Sequence, residues 1–184
     1  QSGERVPFLD ALFTATSATC VTGLVIHDTA LFWSPFGQGV ILLLIQVGGM
    51  GVVTMAVAIF MFSGRKIGLK QRWVMQESIS APQVGGIVRM TSFILKAMLL
   101  IEGTGALLLS LRFCPQLGLL RGLWYGIFHS ISAFCNAGFD LMGRNEAYSS
   151  LVAYEGDILV NLTIMALIVI GGAGFLVWDD IHRN

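Results

Sequence analysis

The sequence predicts an all-α membrane protein built on a repeated helical unit. Of its 184 residues, 55% are hydrophobic and only 12% charged, whereas soluble domains carry about 25% charge. The mean hydropathy is +0.76, and the apolar stretches Phe36–Phe62, Phe93–Leu111 and Asp157–Trp178 read as spanning helices. The third observation is a duplication: S-A-T-C-V-T-G-L over Ser17–Leu24 returns as S-A-F-C-N-A-G-F over Ser132–Phe139. Superposing Gly23 on Gly138 also pairs Phe13 with Phe128, Ser17 with Ser132, Ala18 with Ala133 and Cys20 with Cys135. A net charge of zero and the lack of a basic stripe exclude a nucleic-acid partner.

Pro7 suits the first turn of a helix over Phe8–Thr19. That helix is too short to cross a bilayer, which needs about 20 residues. It leads into small residues ending on glycine, as does Gly122–Phe134 in the second copy. Non-helical backbone is tolerated at membrane depth only where protein buries it or water lines it. Glycine allows φ > 0, which can keep successive carbonyls turned one way, and rings of carbonyls replace an ion's hydration shell in potassium filters. The pattern therefore implies a half-crossing pore helix delivering a cation filter, seen twice. The bland alternative for each copy is a helix end with a glycine cap. The C-terminal end of each half-helix would turn its partial negative charge toward the ion path.

Val25–Pro35 carries His27 and Asp28 and is expected at the outer mouth; Asp140 follows the second filter glycine closely. Phe36–Phe62 has no charged residue and would be about 40 Å long as a helix. Inside it lies Gln46-Val47-Gly48-Gly49-Met50-Gly51, echoed by Gly171-Gly172-Ala173-Gly174. No strand precedes either cluster, so a dinucleotide loop is disfavoured. Close packing through small residues and a kink or gating hinge are the readings for Gly48, Gly49, Gly51, Gly171, Gly172 and Gly174.

The connection 65–92 holds Arg65, Lys66, Lys70, Arg72 and Arg89 against Glu77 alone. The positive-inside rule makes it cytoplasmic, and it could also dock a cytosolic partner. Three segments follow: 1–64 as a first repeat without its outer helix, 65–92 as the basic connection, and 93–184 as a complete second repeat. In Phe93–Leu111, Lys96 can snorkel. Glu102 needs a structural partner, such as a helix N-terminus or a hydroxyl, or a wet ion path. Gly103, Gly105 and Ala106 give that helix a small packing face. His129 reads as a hydrogen-bonded interior residue. Cys20, Cys114 and Cys135 lack metal-ligand spacing, and Cys20 and Cys135 fit small packing positions better than a disulfide. The abrupt start at Gln1, with no initiator Met or signal peptide, suggests a piece of something longer.

D-A-L-F-T-A-T-S-A-T-C-V-T-G-L, F-G-Q-G-V-I-L-L-L-I-Q-V-G-G-M-G and F-H-S-I-S-A-F-C-N-A-G-F resemble the Trk/Ktr/HKT superfamily of potassium transporters. C-V-T-G-L, G-R-K-I-G-L-K and I-E-G-T-G-A-L-L-L look closest to the bacterial Ktr membrane subunit. The resemblance implies potassium-channel-like repeats of outer helix, pore helix, filter strand and inner helix, four around one pore, of which this chain covers roughly two. It implies potassium uptake across the bacterial plasma membrane, with potassium as transported ion and sodium as a coupling ion in some members. It also implies a homodimer on a cytosolic ring of nucleotide-binding regulatory subunits. The carbonyls of Val21, Thr22, Gly23, Asn136, Ala137 and Gly138 are the implied ligands. Glycine at both filter positions favours potassium, since sodium-preferring members typically carry serine at the first. The first outer helix and the third and fourth repeats, with the gating loop and charged constriction residue, have no counterpart here.

Other classes remain for comparison. One is sodium or non-selective monovalent cation transport, and another is a non-conducting membrane assembly subunit. A natural half-length subunit that pairs to complete a pore competes with the fragment reading. A membrane enzyme using Cys20, Cys135 or His129 would need a base–nucleophile pair, and no recognisable spacing supplies one. Topology is testable directly. In a cysteine-free background, an impermeant thiol reagent applied outside should label Ser149→Cys and not Gln71→Cys, and the reverse accessibility would invert the assigned orientation.

Overall fold

The structure is a computed structural model that describes residues 6–51, 87–143, 146–173 and 177, with backbone alone for 87–91. Residues 65–86 of the basic connection, Arg144 and Gly174 lie outside the described residues. Among the described residues the chain is helical throughout and contains no strand. The helices are α1 (Phe8–Thr19), α2 (Thr29–Phe32), α3 (Pro35–Met50), α4 (Ile87–Leu117), α5 (Leu119–Phe134) and α6 (Ile158–Gly172), with a 3-10 turn over Val152–Tyr154. Two compact units result: 1–49 with 101–172, and 50–100 with 173–184. Everything described below about packing belongs to the first.

Pro7 immediately precedes α1, and its carbonyl accepts from the N–H groups of Asp10 and Ala11 at 3.1 and 3.2 Å. α5 begins at Leu119, three residues before Gly122, because Gly118 at φ +83 makes the turn out of α4. Within α4, Ser92–Leu117 is 26 residues long and holds an 18-residue stretch with a mean hydropathy of 1.7, long and apolar enough to cross a membrane. It is the one such helix among the described residues. Of the expected spans Phe36–Phe62 and Asp157–Trp178, the described residues carry α3 to Met50 and α6 to Gly172, and 52–62, 174–176 and 178 lie outside the described residues. The described ends are local. Each reaches a glycine cluster that costs helix propensity by about 1 kcal/mol per glycine, and Gly51 leaves α3 at φ +76.

α4 and α5 meet through small residues. A methyl group on Gly122 would lie 2.5 Å from Cys114 Cα, and one on Gly126 would lie 2.2 Å from Ser110 Oγ and 2.8 Å from the Ala106 carbonyl. Gly122 and Gly126 thus form a G-x-x-x-G seam, the motif that lets helix backbones approach closely. On α4, Gly105 faces Ser130 and Leu167, whereas nothing lies within 4 Å of a methyl at Gly103. Of the small face expected at Gly103, Gly105 and Ala106, Gly105 and Ala106 meet neighbouring helices and Gly103 meets none among the described residues. Lys96 is exposed, as snorkelling requires.

Asp28 ties together the connection before α3 and the loop before α6. It is buried, and its Oδ1 accepts from Ala30 and Leu31 N–H at 2.9 and 3.0 Å, capping α2. Its Oδ2 accepts from Tyr148 N–H at 2.8 Å, while Tyr148 Oη donates to the Ile26 carbonyl at 3.0 Å. His27 bonds Asp10 at 2.8 Å and stacks on Phe32 at 3.9 Å between ring centroids. Asn at position 28 could still cap α2, but its amide N–H₂ would face the Tyr148 N–H, donor against donor. Asp28→Asn should cost about 1–3 kcal/mol and lower the thermal midpoint measured in detergent. An unchanged midpoint would show that the second outer loop does not depend on this carboxylate.

Candidate functional site

α1 and α5 end in the same way, atom for atom along the backbone. In the first, Val21 N–H donates to the Ala18 carbonyl at 3.2 Å and Thr22 N–H to the Ser17 carbonyl at 3.0 Å. In the second, Asn136 N–H donates to Ala133 at 3.0 Å and Ala137 N–H to Ser132 at 2.8 Å. This 5→2 and 6→1 pairing is the Schellman motif, which normally places glycine in the left-handed position. Here that position holds Val21 at φ +56 and Asn136 at φ +57. Gly23 and Gly138, which the glycine-cap alternative would place at that position, come two residues later, at φ +74 and +71. Each turn therefore carries two left-handed residues. For Asn that backbone is tolerable, whereas for a β-branched Val it is an outlier.

Ser17 and Ser132 brace the turns from within. Ser17 Oγ lies 2.8 Å from Thr22 Oγ1, and Ser132 Oγ donates to the Phe139 carbonyl at 2.6 Å. The two turns lie side by side: a methyl on Gly23 would fall 2.6 Å from the Ala137 carbonyl oxygen and 3.3 Å from Gly138 Cα. Any side chain at Gly23 would displace backbone of the second turn.

The glycine clusters of α3 and α6 receive these helix ends. A methyl on Gly48 would lie 2.0 Å from the Thr19 carbonyl oxygen, and one on Gly171 would lie 1.8 Å from the Phe134 carbonyl oxygen. Thr19 and Phe134 are the last residues of α1 and α5. Gly49 meets the second copy instead, since a methyl there would lie 2.4 Å from Cys135 Sγ. Gly172 has only Asn136 Nδ2, at 3.7 Å. All three cysteines are free thiols, with Cys135 buried in this contact and Cys20 exposed.

Buried polar groups fasten the same region. Gln46 Nε2 on α3 donates to both carboxylate oxygens of Glu102 on α4, at 3.1 and 2.9 Å. Glu102 thus has a structural partner, but it is an amide where the sequence suggested a hydroxyl or a helix N-terminus. Ser130 Oγ donates to the Glu102 backbone carbonyl at 2.7 Å. Gln38 accepts from Trp124 Nε1 at 3.0 Å and donates to the Trp33 carbonyl at 3.1 Å. His129 is an interior residue as expected: Nδ1 donates to the Tyr125 carbonyl at 2.7 Å, leaving Nε2 to accept from Leu141 N–H at 3.3 Å. Asp140 is half-buried and accepts from Met142 N–H at 2.9 Å, while Asp28 gives its oxygens to the three backbone donors above. A cavity of about 210 Å³ lies behind the second turn, bordered by His129, Asn136, Gly138, Asp140 and Ile168.

Sequence reasoning named the glycine clusters and both turns but missed Gln46, Gln38 and the Gly122–Gly126 seam. Two glutamines in an otherwise apolar, uncharged helix were the available signal. Buried amides need partners, and both partners lie on later helices.

The family model for TrkH, described as a cation transport protein, matches residues 1–183. Over 181 residues the chain is 47% identical to the Ktr system potassium uptake protein B of Bacillus subtilis, covering 98% of this chain and 40% of that protein. It is 42% identical over 186 residues to the potassium/sodium uptake protein NtpJ of Enterococcus hirae, covering 100% of this chain and 40% of that protein. The Ktr system potassium uptake protein B of Vibrio alginolyticus is 36% identical over 175 residues, 95% of this chain and 37% of that protein. The chain spans about 40% of the length of the curated relatives it matches.

The glycine contacts separate packing positions from free ones. Gly48→Ala and Gly171→Ala each force a backbone carbonyl to move, at a cost of about 1–3 kcal/mol. Gly103→Ala meets nothing and should be neutral or stabilise by up to about 1 kcal/mol through helix propensity. Thermal midpoints of the three variants in detergent should therefore fall, fall and hold. Equal midpoints throughout would mean that the helix ends do not depend on glycine at 48 and 171.

Proposed function

The chain belongs to the TrkH family of cation transport proteins, and we propose that it forms two repeats of a potassium uptake pathway. Each repeat supplies a pore helix, α1 or α5, and a filter strand lined by backbone carbonyls. Those of Val21, Thr22 and Gly23 in the first, and of Asn136, Ala137 and Gly138 in the second, replace the ion's water. The observation that carries this reading is the pair of matched turns with alternating left-handed residues, brought within contact at Gly23 and Gly138. A left-handed residue turns its carbonyl relative to its neighbours, which lets a short strand present several oxygens along one line. The C-terminal ends of α1 and α5 add the partial negative charge of their dipoles. No covalent chemistry is required.

α3 and α6 serve as inner helices whose glycine clusters admit the pore-helix ends and break the helix beyond them. α4 is the outer helix of the second repeat, so the repeats run 1–64 and 93–184, joined by a cytoplasmic segment at 65–92. Asp140 stands at the outer mouth, where its charge raises the local cation concentration. Asp28 contributes to the same field while holding the loops. Glycine at 23 and 138 favours potassium over sodium, with sodium as a coupling ion.

Further repeats of the same protein complete the ring, and burial supports this. With the glycine clusters aligned, Ile45 of α3 is 0% exposed and its counterpart Ile168 of α6 is 42% exposed. With the turns aligned, Phe13 is 41% exposed and Phe128 is 0% exposed. Faces filled by the neighbouring copy on one side stand open on the other. The resemblance to Ktr subunits extends the proposal to a homodimer in a bacterial plasma membrane, seated on a cytosolic nucleotide-binding ring.

The test uses the complete transporter in potassium-uptake-deficient cells. Gly23→Ser and Gly138→Ser should each lower potassium and rubidium uptake in the presence of competing sodium, while sodium uptake suffers less. Wild-type affinity and selectivity in both, at normal surface abundance, would remove the filter assignment.

A further inference from the structure

We propose that the side chains of Val21 and Asn136 determine ion selectivity by bracing each filter strand against its own inner helix. The proposal rests on the filter reading above and adds to the carbonyls a pair of positioning residues behind them.

Both residues occupy the left-handed position of the helix-ending motif, at φ +56 and +57. Glycine would take that backbone without penalty. Valine takes it only against the steric resistance of its Cβ, and such conformations persist only where the surroundings over-determine them, commonly at functional sites. A side chain is therefore present where backbone energetics alone would favour none.

Each side chain reaches the inner helix that follows it, at a different position and by different chemistry in the two copies. A methyl carbon of Val21 lies 3.2 Å from the Cβ position of Gly48, so the branched side chain fills the notch that also admits the Thr19 carbonyl. Asn136 Nδ2 donates to the Ile168 carbonyl of α6 at 3.4 Å and to the Phe134 carbonyl at 3.5 Å. It also lies 3.7 Å from the Cβ position of Gly172. In both copies the residue links the first residue of the strand to the glycine cluster of the following inner helix. Val21 acts as an apolar wedge and Asn136 as a hydrogen-bonded strut. Discrimination between potassium and a smaller cation requires that the carbonyls resist closing inward, and a brace behind the strand supplies that resistance. A polar strut fits the second copy, where Asn136 and Ile168 both border a cavity of about 210 Å³.

The experiment compares Val21→Gly, Asn136→Gly and Val21→Asn in the complete transporter, with Gly23→Ser and Gly138→Ser alongside. Val21→Gly removes the backbone cost, so its thermal midpoint should hold or rise, yet the ratio of sodium to potassium half-saturation constants should fall about tenfold, equivalent to about 1.4 kcal/mol. Asn136→Gly should lower the ratio similarly. Val21→Asn installs the strut of the second copy and should keep the ratio within about threefold of wild type, under 1 kcal/mol. Stability and selectivity moving in opposite directions is a signature that a packing role alone would not give. If Val21→Gly instead loses midpoint and abundance while Val21→Asn also loses selectivity, the residue only packs, and the proposal fails. If both serine variants shift selectivity while both glycine variants retain the wild-type ratio, the brace is wrong and the filter reading survives. Should the serine variants themselves be silent, the filter reading falls and takes the brace with it.

Discussion

Two backbone carbonyls, those of Thr19 and Phe134, occupy space that a side chain at Gly48 or Gly171 would need. Most of the site's geometry follows from that exclusion. The last carbonyls of a helix have no intrahelical donor, and the Schellman bonds satisfy those of Ser17 and Ala18, and of Ser132 and Ala133. The final-residue carbonyl is left facing a neighbouring helix, and glycine lets it approach a Cα closely enough for a weak C–H···O contact. With the helix end lodged there, the turn that follows has little freedom. Ser17, bonded to Thr22, and Ser132, bonded to the Phe139 carbonyl, tie each helix to the turn that follows it.

Polar contacts then fix the apolar helices in register. Helices among lipid tails gain little from burying more hydrocarbon, so small residues and hydrogen bonds must specify their contacts. Gln46 to Glu102 joins α3 to α4, Gln38 to Trp124 joins α3 to α5, and Ser130 to the Glu102 carbonyl joins α5 to α4. Each joins residues 28 or more positions apart in the sequence. A carboxylate at that depth is costly without a partner, and Gln46 spreads one donor over both oxygens. His129 has the same logic at smaller scale: one neutral ring bridges its own helix and the strand exit at Leu141.

The sequence made the helices legible where punctuation was local. Pro7 and the small-residue run after Thr19 bound α1 at Phe8–Thr19, the limits the structure has. Hydropathy alone gives no sign of where α3 ends, because Met50 and the residues after it are as apolar as those before. The φ of Gly51 marks that end, and 52–62 lie outside the described residues. The duplicated motif located both turns, but the left-handed residues at Val21 and Asn136 were illegible, since glycine is the usual sequence mark of that conformation. Asp28 illustrates another limit. Its capping of α2 could be read from D-T-A-L-F, whereas its bond to Tyr148 depends on a contact 120 residues away. Gly103 and Gly105 look equivalent on paper and are not, because helix rotation decides which one meets α5 and α6.

The double glycine divides its work between neighbours. At the first position, Gly48 and Gly171 each admit the helix end of their own copy, so the requirement is internal and is met twice. At the second, Gly49 admits Cys135 of the following copy, while Gly172 faces no comparable group among the described residues. A glycine in an apolar helix costs about 1 kcal/mol against alanine, so Gly172 is a cost without a local return. On the proposed reading the return comes from the next repeat, whose residue matching Cys20 and Cys135 would occupy the space that Gly172 leaves. The first glycine thus builds a repeat and the second joins it to the next. On that reading the same helix serves as floor to one turn, through a backbone carbonyl, and as wall to its neighbour, through a short cysteine side chain that a glycine admits.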